Sequence, residues 1–159
     1  MSLTAADIMT RNVVTAKPDD TIAKVARSLS DHGISAMPVC NATGAVIGMV
    51  SEGDLIAPVG ASSSTKRSWW LNLLADGTDL APSFLDCIKV ENRRVGDLMV
   101  TPVITATPTT TIPELADLLM KHRIKRLPVV SDGKLVGIVS RANLIDAFVR
   151  TPDAVVEAL

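Results

Sequence analysis

The feature that constrains this chain most is a segment that occurs twice. Residues 48–56 have the sequence GMVSEGDLI, and residues 137–145 have the sequence GIVSRANLI. Each copy has a glycine, a short apolar strand candidate that ends in serine, and a polar residue three positions later, where an apolar helix candidate begins. A nine-residue pattern that is used twice indicates two copies of one structural unit.

The repeat extends well beyond this segment. Matched residues at a spacing of 90 positions are Met9 and Met99, Pro18 and Pro108, Ile22 and Ile112, His32 and His122, and Pro38 and Pro128. Gly48 and Gly137 are 89 positions apart, so one residue has been lost in the turn that precedes them. A spacing held over so many positions, with its single deletion in a turn, indicates an internal duplication.

The first copy predicts a fixed order of secondary structure. Residues 13–16 are a short β-branched strand candidate, and turn residues follow at 17–20. Apolar residues then recur at the spacing of an amphipathic helix from Thr21, and Gly33 marks its end just after His32. Residues 34–40 and 45–51 are two further strand candidates, which a turn joins into a hairpin.

The second copy repeats this order with clearer signals. Thr111 and Glu114 have capping-box spacing, Pro113 lies in the first helical turn, and Asp132-Gly133 is typical of a hairpin turn. We therefore predict a mixed α/β (α+β) fold of two β-α-β-β-α repeats. One repeat cannot bury its sheet face alone, so we expect the two to pack through their sheets about a pseudo-twofold axis, leaving two related clefts.

A segment without a counterpart separates the copies. Its apolar residues, which predict a helical insertion, are Trp69, Trp70, Leu73, Leu74, Leu80, Phe84, Leu85 and Ile88. We expect this face to pack in the core or in a dimer interface, because Lys66 and Arg67 are too few for a nucleic-acid or membrane surface. The predicted domains are residues 6–58 (repeat 1), 59–94 (inserted helical linker), 95–150 (repeat 2) and 151–159 (C-terminal tail).

The composition narrows the functional classes. A hydrophobic content of 47% in 159 residues is ample for a core, and a net charge of −1 gives no electrostatic case for nucleic acid or an anionic membrane. No apolar run approaches the ~18 residues of a membrane span, and residues 1–6 lack a signal-peptide pattern. Cys40 and Cys87 form no CxxC pair, so we expect free thiols and no metal site. These observations predict a soluble, cytoplasmic protein.

Ser51 and Asp54 allow two interpretations. In one, they form a capping box, in which the serine accepts a free backbone N–H and the acid reaches back to the serine. In the other, the helix N-terminus also offers its N–H groups and dipole to a phosphate, while the acid accepts hydrogen bonds from sugar hydroxyls. The two interpretations are compatible.

Each copy also begins and ends with characteristic motifs. Both start with Asp-x-Met, carry Pro38 or Pro128 in the second strand, and end with Gly-x-Val-Ser-x-x followed by Asp or Asn. Over about residues 6–54 and 95–145 the chain resembles a tandem cystathionine-beta-synthase (CBS) domain pair, also called a Bateman module. Residues 67–71 (RSWWL) further resemble bacterial CBS-pair proteins that often carry a C-terminal BON domain. The sequence contains no BON domain, so a truncated fragment is one interpretation.

The resemblance implies regulatory binding of an adenosine-containing ligand. We expect AMP, ADP or ATP, with S-adenosylmethionine or NAD as alternatives. In that family a site combines the Ser-x-x-Asp segment and second strand of one copy with the opening segment of the other. The first cleft would use Ile34, Ser35, Ala36, Ser51 and Asp54 with Thr101, Pro102 and Val103. The second would use Ile124, Lys125, Arg126, Ser140 and Asn143 with Thr10, Asn12 and Val13.

The two clefts differ chemically. Asp54 can accept from two ribose hydroxyls, whereas Asn143 has one acceptor oxygen and no charge, so the first cleft is the better ribose site. Lys125 and Arg126 are natural phosphate partners, unless they only line a solvated strand edge. One hypothesis is that a nucleotide on Asp54 points its phosphates toward these two cations.

Three functional classes remain to be compared. The favoured one is a non-catalytic sensor, expected to be a homodimer, that binds an adenine nucleotide and transmits a change in packing. A ligand-free interaction or dimerisation scaffold of the same fold is the alternative. An enzyme is disfavoured, because His32 and His122 are explained as helix C-terminal residues and no nucleophile, metal cluster or acid pair is evident.

Overall fold

The computed structural model of the protein describes residues 2–55 and 94–153. Its helices are α1 (Ala5–Ile8), α2 (Ile22–Asp31), α3 (Val95–Leu98), α4 (Ile112–Lys121) and α5 (Arg141–Arg150). Its strands are β1 (Ala36–Cys40), β2 (Val46–Ser51), β3 (Arg126–Ser131) and β4 (Lys134–Ser140), which form two sheets in the orders β1-β2 and β3-β4. The predicted mixture of helices and small sheets is therefore confirmed.

The chain divides into two compact units, and each unit combines parts of both repeats. Unit 1 contains Met1–Val14, Cys40–Ile47 and Pro102–Leu159, and unit 2 contains Thr15–Val39 and Gly48–Thr101. The opening segment of repeat 1 therefore lies in unit 1, with the Ser-x-x-Asn segment of repeat 2. The opening segment of repeat 2 lies in unit 2, with the Ser-x-x-Asp segment of repeat 1. The predicted domain boundaries along the sequence stay predictions.

In unit 1, the opening of the chain is hydrogen-bonded to β4. The backbone N–H groups of Thr10 and Ile138 each donate to the other residue's carbonyl at 2.9 Å. Met9 covers Gly137, where a Cβ atom would lie 2.8 Å from the methionine Cγ. The buried core beneath is formed by Ala5, Ala106, Ile112, Leu115, Leu119, Leu127, Val129, Val139, Leu144 and Ala147. Only glycine leaves room for the opening segment to approach the strand this closely.

Unit 2 repeats this arrangement with the opening of the second repeat. Val100 N–H donates to the Met49 carbonyl at 2.8 Å, and Met49 N–H donates back at 3.2 Å. Met99 covers Gly48, where a Cβ atom would lie 2.7 Å from the methionine Cγ. The same methionine-on-glycine contact thus attaches both opening segments.

Helices α2 and α4 begin and end where the sequence predicts. Thr21 caps α2 and accepts from Lys24 N–H at 3.1 Å, and Thr111 precedes α4 and donates from N and Oγ1 to Glu114 at 2.8 and 2.9 Å. These hydrogen bonds hold the pKa of Glu114 below its usual range. His32 ends α2, with its Nδ1 2.8 Å from the Ser28 carbonyl oxygen, and the equivalent histidine ends α4.

The predicted first strand of each repeat is wrong in extent. Of residues 13–16, only Ala16 pairs, in an isolated parallel bridge with Val39 in which its N–H donates to the Pro38 carbonyl at 2.9 Å. Pro38 has no N–H to extend this ladder toward residue 14, and Pro18 has none to extend it in the other direction. The second repeat has the same prolines and the same isolated bridge.

The hairpin of the second repeat is confirmed. Strands β3 and β4 pair antiparallel from Arg126 opposite Ser140 to Ser131 opposite Lys134, with one irregularity along the way. Asp132 and Gly133 form the turn with φ angles of 51° and 75°. Positive φ at both turn positions matches the right-handed twist of the strands.

Some predictions lie outside the described residues. These are the helical insertion with its two tryptophans, and Cys87. Cys40 is buried, and burial raises the pKa of its thiol. Across the part of the chain that the structure describes, every helix is too short or too polar to cross a membrane.

Candidate functional site

The junction between β4 and α5 holds the Ser-x-x-Asn motif of unit 1. The N–H and Oγ of Ser140 donate to Asn143 Oδ1 at 2.7 and 2.9 Å. Asn143 N–H donates back to Ser140 Oγ at 3.3 Å. These three bonds form a reciprocal capping box, the arrangement that the sequence indicated for the equivalent residues Ser51 and Asp54.

The junction at the end of β2 has the same construction in unit 2. The N–H and Oγ of Ser51 donate to Asp54 Oδ2 at 2.8 and 3.0 Å, and Asp54 N–H donates to Ser51 Oγ at 3.4 Å. Residues 52–55 are helical. An acid and an amide therefore perform the same capping role at equivalent positions.

The two caps leave different groups available to a ligand. A backbone N–H can only donate, so the Asn143 atom facing Ser140 must be Oδ1, and the atom left over is the donor Nδ2. At Asp54 the cap occupies Oδ2 and leaves Oδ1, which can only accept. Both side chains are half-buried. One junction thus offers a charged acceptor, and the other offers a neutral donor.

The residues that precede β1 and β3 in the sequence are hydrogen-bonded to the helix starts at these junctions. The N–H of Arg141, the first residue of α5, donates to the Lys125 carbonyl at 3.2 Å. In unit 2 the N–H of Glu52 donates to the Ser35 carbonyl at 2.9 Å. Each contact fixes one residue of the predicted site next to the start of a helix.

All eight residues predicted for the second cleft lie in unit 1. They are Thr10, Asn12, Val13, Ile124, Lys125, Arg126, Ser140 and Asn143. The Thr10–Ile138 pairing places the opening segment beside β4, two residues before the capping serine. The segment then turns, with Val13 N–H donating to the Arg11 carbonyl at 3.0 Å. Opening segment, hairpin and helix start are thus parts of one compact unit.

The residues predicted for the first cleft are divided between the units. Ile34, Ser35, Ala36, Ser51, Asp54 and Thr101 lie in unit 2, whereas Pro102 and Val103 lie in unit 1. Within unit 2, the Met49–Val100 pairing places Thr101 one residue beyond the bridge. The predicted residues of unit 2 therefore share the arrangement found in unit 1.

Two charged residues at the junctions were missed in the sequence. Arg141 and Glu52 follow the capping serines, and both are exposed. Aligning the copies around Gly48 and Gly137 shows that the charge is reversed at this position, which is the signal that would have identified them.

Asn143 also borders a cavity between α1 and α5. Its volume is about 330 Å³, and its charged lining residues are Asp7, Asp146 and Arg150. Within residues 2–55 and 94–153, no group of three or more His, Cys, Asp or Glu side chains is placed to hold a metal ion.

Comparison with known proteins identifies relatives of this chain. The CBS domain family matches residues 5–59 and 95–150, which confirms the resemblance seen in the sequence. The uncharacterized protein MJ1426 of Methanocaldococcus jannaschii is 35% identical over 162 residues, covering 90% of this chain and 89% of the relative. The chloroplastic CBS domain-containing protein CBSX2 of Arabidopsis thaliana is 30% identical over 151 residues, covering 91% of this chain and 63% of the relative.

A solved structure of the plant relative supports the fold. The crystal structure of CBSX2 in complex with AMP has a TM-score of 0.70 and 27% identity to this chain. The match covers 94% of this chain and 98% of that chain.

Proposed function

This chain belongs to the CBS domain family, and we propose that it is a regulatory module that binds an adenosine-containing ligand. AMP, ADP and ATP are the favoured ligands, and S-adenosylmethionine and NAD are the alternatives. The observation that carries the proposal is the Ser51–Asp54 junction, where the half-buried residue Asp54 has one carboxylate oxygen that the cap does not use, beside a helix start. The AMP complex of a relative supports the choice of ligand class.

In the proposed site, Asp54 holds the ribose. Its Oδ1 accepts hydrogen bonds from the 2′- and 3′-hydroxyls, and a negative acceptor makes such bonds stronger than a neutral one does. Ile34, Ser35 and Ala36 line the site along the edge of β1, and Thr101 enters from the opening segment. The proposed second site has Asn143 in the position of the acid, with Ile124, Lys125, Arg126, Thr10, Asn12, Val13 and Ser140 around it.

The module is proposed to regulate without catalysing a reaction. His32 makes a backbone contact that accounts for its place at a helix end, so it needs no catalytic role. The ligand would act by binding one packing arrangement of the protein more tightly than another, which is the requirement for any ligand-driven shift. A cytoplasmic location is part of this proposal.

A homodimer is the proposed assembly. Helix α5 buries Leu144 and Ala147 in the core, yet Ile145, Phe148 and Val149 on the same helix are 59%, 39% and 75% exposed. Apolar surface of this kind marks an interaction face. Light scattering should give twice the chain mass for the wild type, and the chain mass for Phe148→Asp. A monomeric wild type would contradict the dimer.

The same apolar face favours the second candidate function, a ligand-free dimerisation scaffold. A thermal-shift series with AMP, ADP, ATP, S-adenosylmethionine and NAD separates the two candidates. Saturation at about 100 times the dissociation constant stabilises a protein by about 2.7 kcal/mol, which is a measurable rise in Tm. A rise with at least one of these ligands supports the sensor. No rise with any of them at millimolar concentration would leave only the scaffold.

A further inference from the structure

The two covering methionines place their sulfur atoms against the backbone of a strand. A Cβ atom built at Gly137 would lie 2.8 Å from Met9 Cγ and 3.1 Å from Met9 Cβ. At Gly48 the same atoms of Met99 would lie at 2.7 and 3.0 Å. In both units the nearest atom to the built position is the methionine Sδ. Each thioether therefore packs directly on a glycine, with no side chain between them.

The residue that follows each methionine makes the backbone bridge of the opening segment. Thr10 exchanges two hydrogen bonds with Ile138, and Val100 exchanges two with Met49. Both bridges are isolated, so no neighbouring ladder of hydrogen bonds holds them closed. Met9 in addition packs against the buried core of unit 1. Local opening of such a bridge is limited mainly by the apolar contacts of the flanking side chain.

Both methionines keep partial access to solvent. Met9 and Met99 are half-buried, whereas Met37 is 1% exposed and Met120 is 71% exposed. Accessible thioethers are oxidised to sulfoxides, which turns a flexible apolar side chain into a polar one. Met9 and Met99 thus combine access to an oxidant with a contact that a polar group weakens.

We propose that Met9 and Met99 are oxidation sites at which hydrogen peroxide loosens the attachment of the opening segments. The sulfur attacks one peroxide oxygen, so that an S–O bond forms and the O–O bond breaks. The thioether loses two electrons to the peroxide, and the products are a methionine sulfoxide and water. Burial of the polar S–O group against a glycine backbone without a hydrogen-bond partner costs free energy, which favours the open bridge.

The inference goes beyond the proposed function and does not depend on it. Oxidation opens the bridges in the ligand-free protein, so the test requires no nucleotide. A chain that binds no adenosine ligand would contradict the proposed function and leave the oxidation sites unaffected.

The test treats the full chain with graded hydrogen peroxide and follows each methionine by peptide mass. Met120 should be oxidised first, Met9 and Met99 next, and Met37 last, in the order of their exposure. Hydrogen exchange then reports the state of the bridges. After oxidation, the amides of Thr10 and Val100 should exchange about 5- to 30-fold faster, the change produced by the loss of a contact of ordinary strength.

The two units control for each other. Leucine keeps an apolar cover and cannot be oxidised, so peroxide should accelerate exchange at Val100 alone in Met9→Leu, and at Thr10 alone in Met99→Leu. Met120→Leu should respond to peroxide at both bridges as the wild type does. Equal acceleration at Thr10 in Met9→Leu and in the wild type would overturn the assignment of Met9.

Reversal in the wild type gives a second measurement that needs no variant. Methionine sulfoxide reductases with dithiothreitol return the sulfoxide to the thioether, while the dithiol becomes a disulfide and water is released. Slow exchange at both bridges should return. If Met9 and Met99 react no faster than Met37, or if exchange is unchanged when both are oxidised, the inference is wrong.

Discussion

The Ser51–Asp54 and Ser140–Asn143 junctions have the same backbone construction and opposite chemistry. In each, a serine at the end of a strand donates twice to one side-chain oxygen three residues later. Aspartate and asparagine share one acceptor oxygen, and the cap uses that oxygen. The second terminal atom of the side chain, which is an oxygen in aspartate and a nitrogen in asparagine, is not used by the cap. Duplication can therefore preserve a structural motif while one residue change converts the polar atom that the cap leaves over from an acceptor to a donor.

The largest expected effect is a loss of stability when either glycine beneath a covering methionine is replaced. It tests whether the two opening segments are held by the same contact. Gly48→Ala and Gly137→Ala would each place a Cβ atom within 3.1 Å of three atoms of the covering methionine. Overpacking of this kind costs typically about 1–3 kcal/mol, so both variants should unfold at lower denaturant concentration and by similar amounts.

Gly53→Ala is the matched control for these variants. Among the residues that the structure describes, its Cβ would meet only Ser51 Oγ, at 3.6 Å, and the residue lies in a helical segment, so the stability of the variant should stay the same or rise. If Gly48→Ala and Gly137→Ala were as stable as this control, the close methionine contact would not hold the opening segments.

The next effect separates capping from ligand binding. Asp54→Ala and Asn143→Ala each remove the acceptor that satisfies Ser51 or Ser140, and each should cost about 1 kcal/mol of unfolding free energy. Only Asp54→Ala also removes the proposed ribose acceptor, so AMP affinity should fall much further in this variant. Chemical denaturation and calorimetry measure the two quantities, and equal losses of AMP affinity would refute the preference for Asp54.

The smallest effect concerns the residues that follow α2 and α4. Gly33 and Arg123 are equivalent residues with φ angles of 60° and 53°, a conformation that strains a residue with a Cβ. Arg123→Gly should therefore stabilise the chain by about 0.5–1 kcal/mol, after the entropic cost of glycine is subtracted. Gly33→Ala should destabilise it. A less stable Arg123→Gly would show that the arginine side chain makes a compensating contact.

Much of the fold follows from the sequence because, outside the insertion, the duplication shows each predicted element twice. Local patterns of side chains, which a sequence displays directly, determine the extents of α2 and α4 and the Asp132-Gly133 turn. They also determine the capping boxes predicted at Ser51–Asp54 and Thr111–Glu114. The first strand was overestimated because a strand needs a partner that can donate, and Pro38 cannot. Whether a partner can donate depends on a second segment of the chain, so the β propensity of residues 13–16 alone does not indicate it.

The candidate site was less accessible to sequence analysis. The resemblance supplied the residue sets, and the difference between Asp54 and Asn143 was visible from residue type alone. The orientation of the amide was not, because it depends on which atom Ser140 N–H selects in the folded chain. The positions of Lys125 and Arg141 beside each other likewise depend on a backbone hydrogen bond between residues 16 positions apart in sequence.

The most direct test of the central claim is calorimetry of AMP binding to the wild type and to Asp54→Asn. Asparagine keeps the cap, as Asn143 demonstrates, and replaces the free Oδ1 acceptor with a donor. We expect an unchanged Tm without ligand and a loss of AMP affinity of about 10- to 100-fold, which corresponds to the strength of a hydrogen bond to a charged group. Unchanged AMP affinity in Asp54→Asn would contradict the claim that the carboxylate holds the ribose.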